Sequence, residues 1–273
     1  MKKSFAYPYG VWLAVFILAP ILMVVVYAFH NADGGLTLHN FSYLPGYLPI
    51  FGRSFWLAFL STVVCLALGY PMAYLMSRLS ASKQSLCMML IMLPMWINFL
   101  LRTYAWMSIL ENNGLLNQLF QQIGLIDLYN QIAMHFASDP AAYVPIDHFQ
   151  MIGTQGAVVL GMVYNYLPFM ILPIYSVLVK LDHSLIEAAR DLGASSVQVF
   201  RKVILPLSLP GVLSGITMVF VPSVSTFAIS RLLGGGTQMM LGDLIEQQFL
   251  GGAYNPQLGA AIALVMMAIV VVC

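Results

Sequence analysis

From Tyr9 to Phe29 the chain runs for twenty-one residues without a charged side chain, and five more apolar stretches follow: Ser54 to Ser77, Ser85 to Leu110, Thr154 to Val179, Pro206 to Ser230 and Leu258 to Cys273. Stretches of this length suit a hydrocarbon layer of about 30 Å, which a helix crosses in about 20 residues and a barrel strand in about 10. With no water to bond it, a crossing backbone must pair its own N–H and C=O groups, which makes these segments helices. The expectation is an all-α membrane protein of six spans, a single transmembrane domain over residues 1–273. Only 8% of residues are charged, against roughly 25% in soluble domains, and no loop could house a soluble domain. The sixth stretch rises only about 24 Å at about 1.5 Å per residue, as a span cut before its natural end would.

The few charges are unevenly placed. With the N-terminus in the cytoplasm, Lys2, Lys3, Arg78, Lys83, Lys180, Arg190, Arg201 and Lys202 fall inside, 8 of the 11 Lys and Arg, leaving Arg53, Arg102 and Arg231 toward the outside. That is the bias that sets orientation in a cell (inner) membrane. Seven of the ten acids, Asp33, Glu111, Asp127, Asp139, Asp147, Asp243 and Glu246, fall outside. A net charge of +1 with no basic cluster excludes nucleic acid as a partner. The apolar run after Lys2 and Lys3 exceeds a signal-peptide core and reads as an uncleaved first span. Cys65, Cys87 and Cys273 have neither the count nor the spacing of a disulfide framework or zinc site. Between the third and fourth spans, Leu115 to Ile126 repeats apolar residues at helical spacing, which suggests an amphipathic interfacial segment; the part around Ser138 to Pro145 is looser.

The most informative stretch is the inner loop 180–205. Asp182 or Ser184 can cap a short helix, with Glu187 in capping-box spacing from Ser184. Gly193 supplies a left-handed stop, and Ser195 or Ser196 can cap a second helix. A two-turn helix is unstable alone in water, and the small residues Ala188, Ala189 and Ala194 let another surface come close. Glu187-Ala188-Ala189, three residues, Gly193, nine residues and Val203-Ile204-Leu205-Pro206 resemble the Glu-Ala-Ala coupling loop of type I ABC importer permeases, with Val203 where the family usually has Ile. The resemblance implies that Glu187, Ala188, Ala189, Gly193 and Pro206 belong to a loop that seats in a cytoplasmic ATPase and passes its closure to the spans. It further implies a second homologous permease, two ATPase subunits that bind ATP and Mg, and an extracytoplasmic binding protein. The chain itself has no Walker A sequence and is expected to bind no cofactor or metal and to have no catalytic residue.

Leu68 to Tyr74, Leu93 to Trp96, Arg102 to Tyr104, Leu167 to Met170, Lys180 to Asp182 and Gly234 to Gly236 are similar to the permeases of spermidine/putrescine importers, which implies a polyamine substrate; importers of other small solutes share the coupling loop. A linear polycation needs carboxylates for its ammonium groups and aromatic faces for its methylenes. Trp96, Phe99 and Tyr104, with Glu111 beyond them, could line such a path, or be packing and interface aromatics. Arg102 reads either as a gate or interhelical clamp, with Glu111 or a carbonyl of another span, or as a cation snorkelling to the outer interface. Asn165 and Tyr166 read as path-lining or as core hydrogen-bonding groups. Gly211 and Gly215, four apart, suggest close helix packing.

An intramembrane enzyme would need facing acids, a Ser-His set or metal ligands, and the chain has no H-E-x-x-H or G-x-S-x-G sequence and only scattered histidines. A passive channel would leave the inner loop unexplained. Hydrolysis that appears only with a cytoplasmic partner and responds to an external binding protein separates the importer from both. The charge bias has a direct check: in intact cells, a cysteine placed near Asp139 should react with an impermeant thiol reagent and one near Ser82 should not. The reverse pattern would invert the topology and put the inner loop on the wrong side.

Overall fold

The protein is described from a computed structural model covering residues 6–31, 34–136 and 143–272. Lys2, Lys3, Asp33, Asp139 and Cys273, together with the loop around Ser138, lie outside the described residues. In chain order, α1 (Ala6–Leu13) passes through a π-helical turn, Ala14–Leu18, into α2 (Ala19–Phe29). A one-turn α3 (His39–Ser42) precedes the long α4 (Leu44–Ser77), then α5 (Ala81–Met92), a 3-10 turn Leu93–Trp96, α6 (Phe99–Leu110), α7 (Leu115–Gln122) and α8 (Leu125–Phe136). There follow α9 (Gln155–Leu178), α10 (His183–Asp191), α11 (Ser196–Val199), a second π turn Phe200–Ile204, α12 (Leu205–Val224), α13 (Ala228–Leu233), α14 (Leu241–Leu250) and α15 (Pro256–Val272). Among the described residues the β structure amounts to one isolated bridge between His30 and Leu36.

Proline explains the irregular turns. A proline inside a helix lacks the N–H that would bond residue i−4, and its ring presses on that residue's carbonyl. Pro20 and Pro206 each stand two residues beyond a five-residue π turn, so the residue four back, Phe16 or Lys202, is the middle one of that turn. In each case the residue before the proline bonds five back, Ala19 N–H to the Ala14 carbonyl and Leu205 N–H to the Phe200 carbonyl. The wider turn relieves the clash where it arises.

Four helical segments are long and apolar enough to cross a bilayer: Tyr9–Phe29, Leu44–Ser77, Gln155–Leu178 and Ser196–Val224. The third stretch differs from the single unbroken span expected over Ser85 to Leu110. It is broken, with 88° between Ala81–Trp96 and Phe99–Gln122. Pro94 opens the 3-10 turn, Ile97 is extended, and Asn98 restarts the helix by accepting the Leu100 N–H at 2.8 Å. The second helix begins at Leu44 rather than Ser54 because Pro45, in its first turn, has no N–H to satisfy there. α12 stops at Val224 instead of continuing to Ser230, and the sixth apolar helix, α15, has 17 residues.

The chain forms two compact units. The first comprises Met1–Ser54, Ser225–Phe227 and Met239–Cys273. In it α2 packs on α15 through the fully buried Ala28, Ala260 and Ala261. Asn40 closes the end of α2 by donating to the Ala28 and His30 carbonyls, both at 2.9 Å. Ser54 Oγ accepts the Leu241 N–H, so the start of α14 is capped from α4.

The second unit comprises Phe55–Val224 and Ala228–Gln238. Its core is the contact of α4, α9 and α12. Ser61, Cys65 and Gly69, four apart on one stripe of α4, meet Met162, Val163 and Met170 in the same order, so α4 and α9 run parallel. α12 runs the other way: Gly211 faces Pro173 and Ile174, and Gly215 faces Met170. The spacing of Gly211 and Gly215 does mark close packing, because a Cβ on Gly211 would sit 2.8 Å from the Pro173 carbonyl oxygen and 3.1 Å from the Ile174 Cα. Backbone cannot swing aside as a side chain can. Gly211→Val should therefore cost about 1–3 kcal/mol and lower the thermal midpoint of the detergent-purified protein by several degrees. Gly46→Ala, at a position with no neighbour within 4 Å of the new carbon, is the control; equal midpoints would mean that α9 and α12 do not pack as described.

Candidate functional site

The inner loop folds as its sequence suggests, with the caps resolved. Asp182, not Ser184, caps α10 by accepting the Ser184 N–H at 2.9 Å, so Glu187 has no capping-box partner. Ser195, not Ser196, caps α11 in a reciprocal box with Gln198. Between them the chain closes α10 with a Schellman turn: Gly193 N–H bonds the Arg190 carbonyl at 2.8 Å and Ala194 N–H the Ala189 carbonyl at 3.1 Å. Gly193 has φ +80° and open space around the position of a Cβ. Its demand is conformational rather than steric.

One side of α10 is seated and the other is open. Ile186, 7% exposed, lines a cavity of about 20 Å³ with Tyr74, Arg78, Leu178, Leu181 and Ile204. Glu187, Ala188 and Gly193 are exposed and Ala189 half-buried. Leu192 is 90% exposed, with Leu185 and Val197 also on the surface. Ile186 and Leu192 do not stand out in the sequence, because the loop also carries Leu185, Val197, Val199 and Ile204; it is the fold that turns Ile186 inward and leaves Leu192 open.

The seat belongs largely to α4. The Tyr70 and Tyr74 rings stand edge-on to Phe200, each at 5.8 Å between centroids and at 89° and 83°. Arg78 donates to the Tyr74 hydroxyl at 2.6 Å and stacks over its ring at 4.7 Å. Tyr175, near the end of α9, donates to the Gln84 side chain, whose amide in turn bonds the Ser77 and Leu79 carbonyls. The loop is thus fastened to a helix far from it in sequence.

The residues considered for a path differ in exposure. Trp96, 78% exposed, sits at the break between α5 and α6; Tyr104 and Glu111 are exposed and Phe99 half-buried. Trp106 packs edge-on against Tyr164 at 5.4 Å. Asn165 is 2% exposed and donates to the Gly161 carbonyl at 2.8 Å, while Tyr166 reaches the Pro222 carbonyl at 3.4 Å. Both make core hydrogen bonds. Arg102, one turn past the break, has buried Nε and Nη1 atoms with no hydrogen-bond partner, and it is not joined to Glu111.

In the long connection, the amphipathic segment expected over Leu115 to Ile126 is helical over Leu115–Gln122, and a second helix, α8, begins within it at Leu125 and runs on to Phe136. Side-chain amides hold both in the manner of a strand: Asn117 bonds the N–H and C=O of Phe149, and Asn130 those of Ile146, all at 2.9–3.0 Å. Leu115, Leu119, Ile123, Leu128 and Ile132 are turned outward.

The family described as binding-protein-dependent transport system inner membrane component matches residues 9–273. The spermidine/putrescine transport system permease protein PotB of Haemophilus influenzae is 35% identical over 271 residues, covering 95% of this chain and 88% of the relative. PotB of Escherichia coli is 36% identical over 247 residues, covering 88% and 83%. Among solved structures, a bacterial alginate ABC transporter in complex with its alginate pentasaccharide-bound periplasmic protein has a chain that superposes with a TM-score of 0.76 at 13% identity, covering 99% of this chain and 90% of that one, a likeness of fold. With its helices, its broken apolar segment and its exposed short helix matched along nearly their whole length, this chain belongs to the family of binding-protein-dependent transport system inner membrane components.

Proposed function

We propose that this chain is the permease subunit of an ATP-driven importer that takes up polyamines delivered by an extracytoplasmic binding protein. The observation that carries the reading is α10: a two-turn helix, closed by Gly193, that buries Ile186 toward its own protein and leaves Glu187, Ala188 and Leu192 open to another. Helices this short owe their stability to what they dock on. The partners are a second, similar permease, two ATPase subunits that hold ATP and Mg, and the binding protein. Closure of the ATPases displaces α10, and the spans rearrange so that the path opens to one side and then the other.

Four long apolar helices, the bent pair and α15 support six crossings in one transmembrane domain, and the charge bias supports a cytoplasmic N-terminus and inner loop. In the docked state Leu192 is the apolar anchor that fits a cleft, and Glu187 the charge that sets its register. The exposed Trp96 and Tyr104, near Phe99 and a break that frees backbone groups, suit the methylenes and ammonium groups of a polyamine, with Glu111 as the outer carboxylate. Asn165 and Tyr166 support that wall from the core.

A second reading, import of another small solute bearing an anionic group, is favoured by Arg102, whose guanidinium is charged at any pH met in a cell and whose buried donors lack acceptors. Uptake of labelled spermidine and putrescine by the reconstituted assembly separates the two. Saturable uptake of either, competed by the other and not by amino acids or anions, is expected; uptake blocked only by an anionic solute would favour the second reading.

Variants of the loop test the docking role. Gly193→Val forces a β-branched residue into the left-handed region, at about 1–3 kcal/mol, and should yield a protein that inserts normally yet loses its ATPase subunits on purification and supports no uptake. Glu187→Ala removes a charge without bending the backbone and should lower uptake by about tenfold or less, in line with the loss of one interfacial charge pair. Wild-type uptake by Gly193→Val would reduce the segment to an ordinary turn.

A further inference from the structure

The π turn Phe200–Ile204 lies between α10 and α12, and α4 holds it at both ends. At its start, Phe200 is flanked edge-on by Tyr70 and Tyr74, four residues and one helical turn apart on α4. Just beyond its end, Ser208 Oγ donates to the Leu205 carbonyl at 2.9 Å, which uses its only proton. The Tyr70 hydroxyl, 2.9 Å from the same Oγ, is therefore the donor in that contact. Ile204, 2% exposed, closes the turn against the cavity that Ile186 and Tyr74 also line.

The position of Phe200 depends on the turn being π. Leu205 N–H bonds five residues back to the Phe200 carbonyl. Were this stretch a regular helix continuous with α12, one residue fewer would lie in the turn, and everything before it would rotate by about 100°, one residue's share of 3.6 per turn. Phe200 would leave the gap between the tyrosines. Pro206, whose ring conflicts with the Lys202 carbonyl in a regular helix, holds the wider turn in place.

Resting on the docking reading of α10, we propose that Phe200, clasped by Tyr70 and Tyr74 and held in register by Pro206, is the positioning residue that carries displacement of α10 sideways into α4. From α10 the chain runs through the π turn into α12, and Ile186 of α10 shares its cavity with Tyr74 and Arg78 of α4. The aromatic clasp ties the π turn itself to α4, which packs on α9 through Ser61, Cys65 and Gly69. Side chains interlocked edge to face shift as a body rather than slide past each other, so α4 and α12 move together when α10 is pushed.

The test uses the assembled transporter, with its second permease, ATPase subunits and binding protein, reconstituted in liposomes and supplied with labelled spermidine. Phe200→Leu should keep its ATPase subunits in the wild-type ratio and still hydrolyse ATP in response to loaded binding protein, while spermidine taken up per ATP falls about two- to thirty-fold. Pro206→Ala should lower the same ratio. Tyr74→Phe, which keeps the ring, should retain it, and Tyr74→Leu should not. An unchanged ratio in Phe200→Leu overturns the proposal. So does loss of the ATPase subunits from that variant, because Phe200 would then hold the docking helix in place rather than transmit its motion. Should Phe200→Leu fail to reach the membrane, Tyr74→Leu is judged by the same two criteria. Failure of the wild-type chain to retain its ATPases is failure of the docking reading itself and is seen before any variant is made.

Discussion

Backbone hydrogen bonding in a solvent without water is the condition from which the rest of this structure follows. Every N–H and C=O that a helix leaves open must be met within the protein, and prolines repeatedly open the ladder. Pro20 and Pro206 are accommodated by π turns, and Pro94 by a 3-10 turn that ends the helix altogether. At the break the Asn98 side chain takes over a duty of the backbone, as Asn40 does at the end of α2 and Asn117 and Asn130 do in the long connection. Asparagine in this chain works as a detachable piece of main chain.

Close helix contact depends on the same economy of side chains. Where α9 and α12 meet, Gly211 and Gly215 bring backbone to backbone, and dispersion between closely fitted surfaces replaces the hydrophobic drive that lipid removes. Ile186 seats against α4, the end of α9 and Ile204, and Leu192 is exposed, so the loop turns one apolar residue inward and leaves another open, and a helix of nine residues becomes a defined projection.

Helical class, apolar segments and the inner loop were legible because each has a local signature: segment length against bilayer thickness, Gly193 after a run of small residues, serine and aspartate before helices. Gly211 and Gly215 were legible as packing for the same reason. The break at Trp96 to Asn98 was not, since Pro94 alone does not distinguish a kink from a stop; the extended Ile97 and the Asn98 cap decide it. α8 lacks a one-sided pattern, since Asn130 bonds inward to Tyr143 and Ile146 beside the buried Ile126, while Asp127, Leu128, Gln131 and Ile132 are exposed together. Residues of the clasp lie in separate stretches of the sequence. Tyr70 and Ser208 are 138 positions apart, and no spacing rule reaches that far. Arg102 and Glu111, nine apart on a stretch expected to be one helix, are not joined, and Asn165, weighed for a path, is buried.

A π turn is a helix carrying one residue more than its neighbours need. That makes the two turns before Pro20 and Pro206 places where the chain has slack in its count, and the slack is tied to the proline that follows. In the currency of genes, a single-codon deletion within Ala14–Leu18 or Phe200–Ile204 is a frame change for the helix face, unless the proline is replaced in the same step. Then the turn tightens to an ordinary one and each residue before it keeps its heading. Length and composition at these sites are thus heritable only as a pair.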